Sequence, residues 1–174
     1  MHDLLRDMGR AIVSEHLAKE PAKHSRLWFH EDVLDVLSKK TGTETVEGLI
    51  LKLQTTDIIR FSTNAFQEMK KPRLLKLDGV HLIGDYGLIS KQLRWVDWQR
   101  STFKFIPNDF DQGNLVVFEL KHSNVKQVWH ETKLLEKLKV LNLSHSKYLK
   151  STPDFSKLPN LEKLILKDCP SLSE

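Results

Sequence analysis

Leu138-Lys139-Val140-Leu141-Asn142-Leu143 sets leucine at its first, fourth and sixth positions, and the same Leu-x-x-Leu-x-Leu spacing returns along the chain. Segments of this kind begin at Pro72, Leu93, Leu115, Leu138 and Leu161, at intervals of 21 to 23 residues. Their anchors are Pro72/Leu75/Leu77, Leu93/Val96/Trp98, Leu115/Phe118/Leu120, Leu138/Leu141/Leu143 and Leu161/Leu164/Leu166. Eight positions after each start stands Val80, Ser101, Ser123, Ser146 or Cys169. A period of two means a strand, so Leu164 and Leu166 point to one side and Lys163, Ile165 and Lys167 to the other. A strand this short cannot bury its apolar side alone, so neighbouring segments must stack. The small eighth residue turns the chain inward, where Ser or Cys can satisfy backbone groups of the turn and Val80 cannot. Pro72 has no N–H to give to a neighbour, which predicts an edge there and a degenerate unit over residues 72–90.

This spacing is the leucine-rich-repeat signature. The expected fold class is α/β: a leucine-rich-repeat solenoid over residues 72–174, with one parallel strand per repeat, behind a small, mainly helical N-terminal piece. Pro107, Pro153, Pro159 and Pro170 keep long helices off the side opposite the strands.

Upstream, residues 1–17 read as an amphipathic helix, with Leu5, Met8 and Ile12 on one face, ended by Glu20-Pro21-Ala22. Residues 26–29 look extended. Residues 30–40 read as a second helix, with Val33, Val36 and Leu37 on one face. Glu31 and Asp32 lie in its first turn, where the helix dipole favours acids. Thr41-Gly42-Thr43 stops that helix, residues 46–53 suggest a strand, and residues 61–71 a short helix leading into the repeats.

Composition narrows the class. A hydrophobic content of 40% with 29% charged residues fits a globular protein. The net charge of +4 is spread among acids rather than gathered in blocks, which gives little reason to expect nucleic acid. Residues 30–40 set Glu31, Asp32 and Asp35 against Lys39 and Lys40, so they make no basic recognition helix. One cysteine, Cys169, excludes an internal disulfide framework and any CxxC metal site. Its place at the eighth offset makes it a turn residue rather than a nucleophile. The histidines show no metal-ligand spacing, so no metal and no catalytic residues are expected. Charges at Asp3, Arg6, Asp7, Arg10 and Glu15 break any secretory apolar core, and no apolar run is long enough for a transmembrane span. Asn142-Leu143-Ser144 matches a glycosylation sequon but falls on a strand position. These points favour the cytoplasm, or the nucleus, as the location.

The outward strand positions form three columns. The central one is Lys76, Asp97, Glu119, Asn142 and Ile165. The preceding one is Leu74, Trp95, Val117, Val140 and Lys163, and the following one Asp78, Gln99, Lys121, Ser144 and Lys167. An apolar column beside a charged one reads either as ordinary strand propensity or as a contact surface for another protein.

Met1-His2-Asp3-Leu4-Leu5-Arg6-Asp7-Met8-Gly9-Arg10 resembles the Met-His-Asp motif that ends the nucleotide-switch module of plant intracellular immune receptors. Ser25-Arg26-Leu27-Trp28, Thr41-Gly42-Thr43, Val46-Glu47-Gly48, Leu93-Arg94-Trp95, Val128-Trp129, Thr152-Pro153-Asp154-Phe155-Ser156 and Pro159-Asn160-Leu161-Glu162 continue the likeness in order. The set resembles the disease resistance proteins whose complete members begin with a TIR domain. The resemblance implies that residues 1–45 are a winged-helix remnant of the switch module, residues 46–71 a connector, and residues 72–174 the repeats. It implies a receptor held off by ADP and restrained by its repeats, which on sensing a pathogen effector or a guarded host protein exchanges ADP for ATP. Met1, His2 and Asp3 then form the switch motif. His2 would contact the ADP β-phosphate in the intact protein, and Asp3 would hold the packing between subdomains. The implied partners are the receptor's own nucleotide-binding module and the sensed protein, not nucleic acid or membrane.

The stretch has no phosphate loop: Gly79 and Gly84 have the glycine spacing, but Asp85-Tyr86 follow instead of Lys-Ser/Thr. It reads as a fragment that starts inside the motif and stops in the fifth repeat, so no cofactor is expected on it, ADP or ATP belonging to the intact protein. An enzymatic reading, nucleotide hydrolysis or TIR-type NAD cleavage, lacks its residues here, and no enzyme is expected. The alternative function is a free-standing repeat adaptor that binds protein without a switch.

Overall fold

The structure, a computed structural model, describes Met8, residues 20–131 and residues 133–173. Its strands are β1 (Arg26–Leu27), β2 (Gly48–Lys52), β3 (Ile59–Ser62), β4 (Leu74–Asp78), β5 (Val80–Ile83), β6 (Trp95–Gln99), β7 (Val117–Glu119), β8 (Val140–Asn142) and β9 (Lys163–Ile165). Strands β1, β2, β4, β6, β7, β8 and β9 make one parallel sheet, adjacent in that order. Strands β3 and β5 pair in parallel as a separate two-stranded sheet.

Each Leu-x-x-Leu-x-Leu segment supplies one strand, and the register aligns equivalent positions. Leu49 faces Leu75, Leu75 faces Val96, Val96 faces Phe118, Phe118 faces Leu141 and Leu141 faces Leu164. The alternation places Leu75, Val96, Phe118 and Leu141 in the core, each at most 1% exposed. Leu77, Trp98, Leu120 and Leu143, two residues on, join them. Full burial of such a side chain contributes about 1.5–3 kcal/mol, so the repeated pair is the main stabilising unit.

The fold class expected from the sequence, a leucine-rich-repeat solenoid preceded by a mainly helical winged-helix remnant, is corrected by this arrangement. The described residues form an α/β structure on one seven-stranded parallel sheet, with a single α-helix, α1 (His30–Lys39). Among the described residues the sheet begins at Arg26 rather than at Pro72, so residues 26–52 contribute strands to it instead of forming a separate helical body. The reason is visible in retrospect. Val46, Leu49 and Leu51 have the anchor spacing and are all buried, and His24 and Leu27 occupy the first two slots of a further unit. Pro72 is no edge either, because β2 covers β4. The helix expected over residues 1–17 lies outside the described residues apart from Met8.

Helix α1 forms where expected. Glu31 and Asp32 sit in its first turn, and Val33, Val36 and Leu37 are buried. It ends at Lys40, which turns left-handed (φ 57°, ψ 40°) and donates its N–H to Val36 O. Gly42 serves packing rather than the helix stop: a Cβ there would collide with the buried Met69 side chain. The helix expected over residues 61–71 is instead the end of β3 and one 3-10 turn, Thr63–Phe66, capped by Ser62 Oγ accepting from Asn64 N–H at 3.2 Å. Phe61 is committed to Leu82 of β5, a partner that no local pattern reveals.

After β4, β6, β7, β8 and β9 the chain turns through a left-handed residue: Gly79 (φ 73°), Arg100 (53°), His122 (54°), His145 (61°) and Asp168 (53°). Their amides tie successive units, Arg100 N to Lys121 O at 3.1 Å, His122 N to Ser144 O at 3.0 Å and His145 N to Lys167 O at 2.8 Å. From Ser123 onward the next residue inward does what the eighth offset suggested, whereas Ser101 Oγ is buried without a hydrogen-bond partner among the described residues. Ser123 and Ser146 share a hydrogen bond of 2.9 Å, Ser146 Oγ donates to Leu120 O at 3.1 Å, and Cys169 Sγ donates to Leu143 O at 3.2 Å. On the far side of the core lie 3-10 turns such as Tyr86–Leu88 and Phe155–Lys157, and among the described residues no α-helix follows β2. Trp98 packs edge-on against Phe103 (ring centroids 4.8 Å apart) and donates from Nε1 to Val80 O at 2.9 Å. Among the described residues no helix is long and apolar enough to cross a membrane.

Candidate protein-contact face

The outward columns lie on the sheet face opposite the core, in the register expected: Lys76, Asp97, Glu119, Asn142 and Ile165 are paired in sequence across β4, β6, β7, β8 and β9. They are not equally available. Lys76 Nζ and Lys121 Nζ close over Asp97 at 2.9 and 3.6 Å from Oδ2, and Asp97 is 0% exposed. Lys121 also reaches Glu119 Oε2 at 3.4 Å. Asn142 Nδ2 donates to Glu119 Oε1 at 3.4 Å, while Asn142 Oδ1 accepts from Ser144 N at 3.1 Å and Ser144 Oγ at 2.6 Å. The central column is therefore a polar chain running across the strands, satisfied mostly from within. Asp97 Oδ1 is its exception, buried without a hydrogen-bond partner among the described residues. A buried oxygen of that kind costs about 1–3 kcal/mol, which an incoming N–H or water would recover.

Asn142 is buried and fully engaged, which withdraws the sequon from use in the folded chain. The apolar column offers the contact surface. Trp95 is 47% exposed, two residues before Asp97 on the same face. Leu74, Val117 and Val140 flank it half-buried, with Lys163 exposed and Ile165 half-buried toward β9. A large exposed aromatic flanked by half-buried aliphatic side chains has the make-up of a protein-binding hot spot. Sequence reasoning found the residues but not the division between a closed polar chain and an open aromatic, since that depends on where lysine side chains settle.

At the next turn Arg100 bonds Asp78 Oδ1 at 2.6 Å and the carbonyls of Thr55 and Leu53 at 2.7 and 3.2 Å, which anchors the loop between β2 and β3. Burial, then the Arg60 charge, holds His81 below the usual imidazole range. Burial, with the Asp109 carboxylate, pushes Tyr86 up to about 12. Among the described residues no group of His, Cys, Asp and Glu is placed to hold a metal ion. Met1, His2 and Asp3 of the switch motif lie outside the described residues.

No protein-family model matches the chain. Curated proteins do, along its whole length. It is 36% identical over 200 residues to Disease resistance protein RPV1 of Vitis rotundifolia, covering 99% of this chain and 14% of that protein. It is 36% identical over 176 residues to TMV resistance protein N of Nicotiana glutinosa, covering 100% of this chain and 15% of that protein. It is 33% identical over 186 residues to Disease resistance protein RPP2B of Arabidopsis thaliana, covering 99% and 15%. The chain belongs to the TIR-class plant disease resistance proteins. It spans about a seventh of the length of these relatives.

Membership corrects the expectation that the protein is no enzyme. That expectation rested on residues missing from 174 positions, whereas this class is named for a TIR domain, the module to which NAD cleavage belongs. What a seventh of a TIR-class protein lacks is no measure of what the protein catalyses.

Proposed function

We propose that this stretch is the recognition and restraint region of an intracellular plant immune receptor. It would use the Trp95-centred face of its sheet to contact either the receptor's own nucleotide-binding module or the sensed protein. One observation carries the reading: the likeness to disease resistance proteins is continuous from end to end of the chain. The half-buried apolar column and the half-exposed Trp95 support the choice of face. The switch motif adds the mechanism. His2 donates a hydrogen bond to the ADP β-phosphate in the intact protein, and Asp3 holds the restrained packing. Losing a contact made only in the ADP state shifts the population toward the active one. Pathogen effectors or guarded host proteins act as partners, in the cytoplasm.

The test uses an intact receptor containing this stretch. Asp3→Val and His2→Ala should each lower retained ADP and give cell death without effector. Trp95→Ala should change cell-death signalling while the protein accumulates normally. If both switch variants keep their nucleotide and stay silent, the switch reading fails and a free-standing protein-binding adaptor becomes the better account.

A further inference from the structure

We propose that Lys104, Lys126 and Lys150 form a docking ridge for an acidic α-helix of a partner protein. The three occupy equivalent positions on successive turns, away from the Trp95 face. Lys126 N donates to Lys104 O at 3.0 Å, Lys150 N to Lys126 O at 2.8 Å, and Ser173 N to Lys150 O at 3.3 Å, so they are stacked in register. All three are exposed. Among the described residues none of their ammonium groups has an ion-pair or hydrogen-bond partner. Some lysines elsewhere do find one: Lys139 pairs Glu162 at 3.0 Å, Lys137 reaches Asn114 Oδ1 at 2.6 Å, and Lys133 reaches Asn108 O at 2.5 Å. No acid stands within three residues of any of the three in sequence. Like charges stacked on adjacent rungs oppose folding, so the column costs stability that an anionic partner would return.

The spacing selects the partner. Rungs of such a ladder lie about 4.8 Å apart. Acids at i, i+3 or i+4, and i+7 of an α-helix succeed one another at about 5–6 Å. Same-face acids of an extended peptide are separated by about 6.6 Å, a poorer match over three steps. The column holds lysine rather than arginine, whose planar fork suits phosphate better. A lipid surface generally needs a broader patch of roughly 4–8 cations.

The experiment measures binding of the full chain to a labelled helical peptide with glutamates along one face, and to one of equal composition with glutamates dispersed around the helix. The one-face peptide should bind, and weaken as salt rises. The triple variant Lys104→Gln, Lys126→Gln, Lys150→Gln should lose at least about tenfold in affinity while melting no lower than the parent. Equal binding of both peptides, or unchanged binding by the triple variant, overturns the proposal. So does tighter binding of single-stranded RNA or anionic vesicles, and so does a lower melting temperature of the variant, which would make the lysines structural.

Discussion

Leu141 and Leu164 occupy the same slot of successive units, but their surroundings differ. Leu141 is 0% exposed between β7 and β9, while Leu164 on β9 is only half-buried. Leu141→Ala should therefore cost about 2–5 kcal/mol in chemical denaturation. Leu164→Ala should cost clearly less. Asn142 points away from the core yet is buried with three hydrogen-bond contacts, so Asn142→Ala should cost about 1 kcal/mol, more than an outward residue suggests. Equal losses at Leu141 and Leu164 would place β9 deeper than it is. The sequence could specify which way each of these residues faces, since period two does that. It could not specify burial on the outward face, which depends on Lys76 and Lys121 folding over Asp97.

Single elements end where the backbone, not only the side-chain pattern, allows. Helix α1 closes on Lys40 in a left-handed conformation that glycine adopts without penalty. Lys40→Gly should raise the melting temperature, by up to about 1 kcal/mol of stability. Gly79 is the opposite case. Its φ is +73°, and a Cβ would stand 3.2 Å from Asp57 O and crowd the Arg100 guanidinium that anchors the loop. Gly79→Ala should lower the melting temperature and loosen amide protection in residues 53–57. Should the substitution prove neutral, the Arg100 anchor carries little of the loop's order. Helix α1 was legible from its apolar face and acidic first turn. The pairing of β3 with β5 was not, because Phe61 and Leu82 are 21 residues apart and neither segment carries the anchor spacing.

Across the whole molecule, stability should fall at both ends of the pH range. His81 is held below its ordinary value by burial and by Arg60, so the unfolded chain binds the proton more readily. Its contribution is complete above the ordinary imidazole value of about 6.5 and is lost as pH falls through the folded value. Tyr86, raised to about 12, donates to Leu82 O at 2.5 Å and is buried against Phe103 and Phe110. That contribution is complete below the ordinary tyrosine value of about 10 and is lost as pH rises through 12. Tyr86→Phe should flatten the alkaline limb of a melting-temperature profile and leave the acid limb in place. An unchanged alkaline limb would show that another group controls it.

The sequence by itself determined where β4, β6, β7, β8 and β9 lie, which side of each is apolar, and that equivalent positions align. Period-two alternation at a nearly constant interval allows few other stackings. It also carried the likeness that places the chain among plant disease resistance proteins. Tertiary structure decided the rest. Strands β1 and β2 join the same sheet because Leu49 meets Leu75, although a two-residue strand and a glycine-led one are weak local signals. The outer face divides into a closed polar chain and an open tryptophan because lysines from neighbouring strands reach Asp97. Lys104, Lys126 and Lys150 become one column only when successive turns bond backbone to backbone. Each of these outcomes depends on contacts between residues about one unit or more apart, and local spacing constrains direction and period, not which distant side chain arrives.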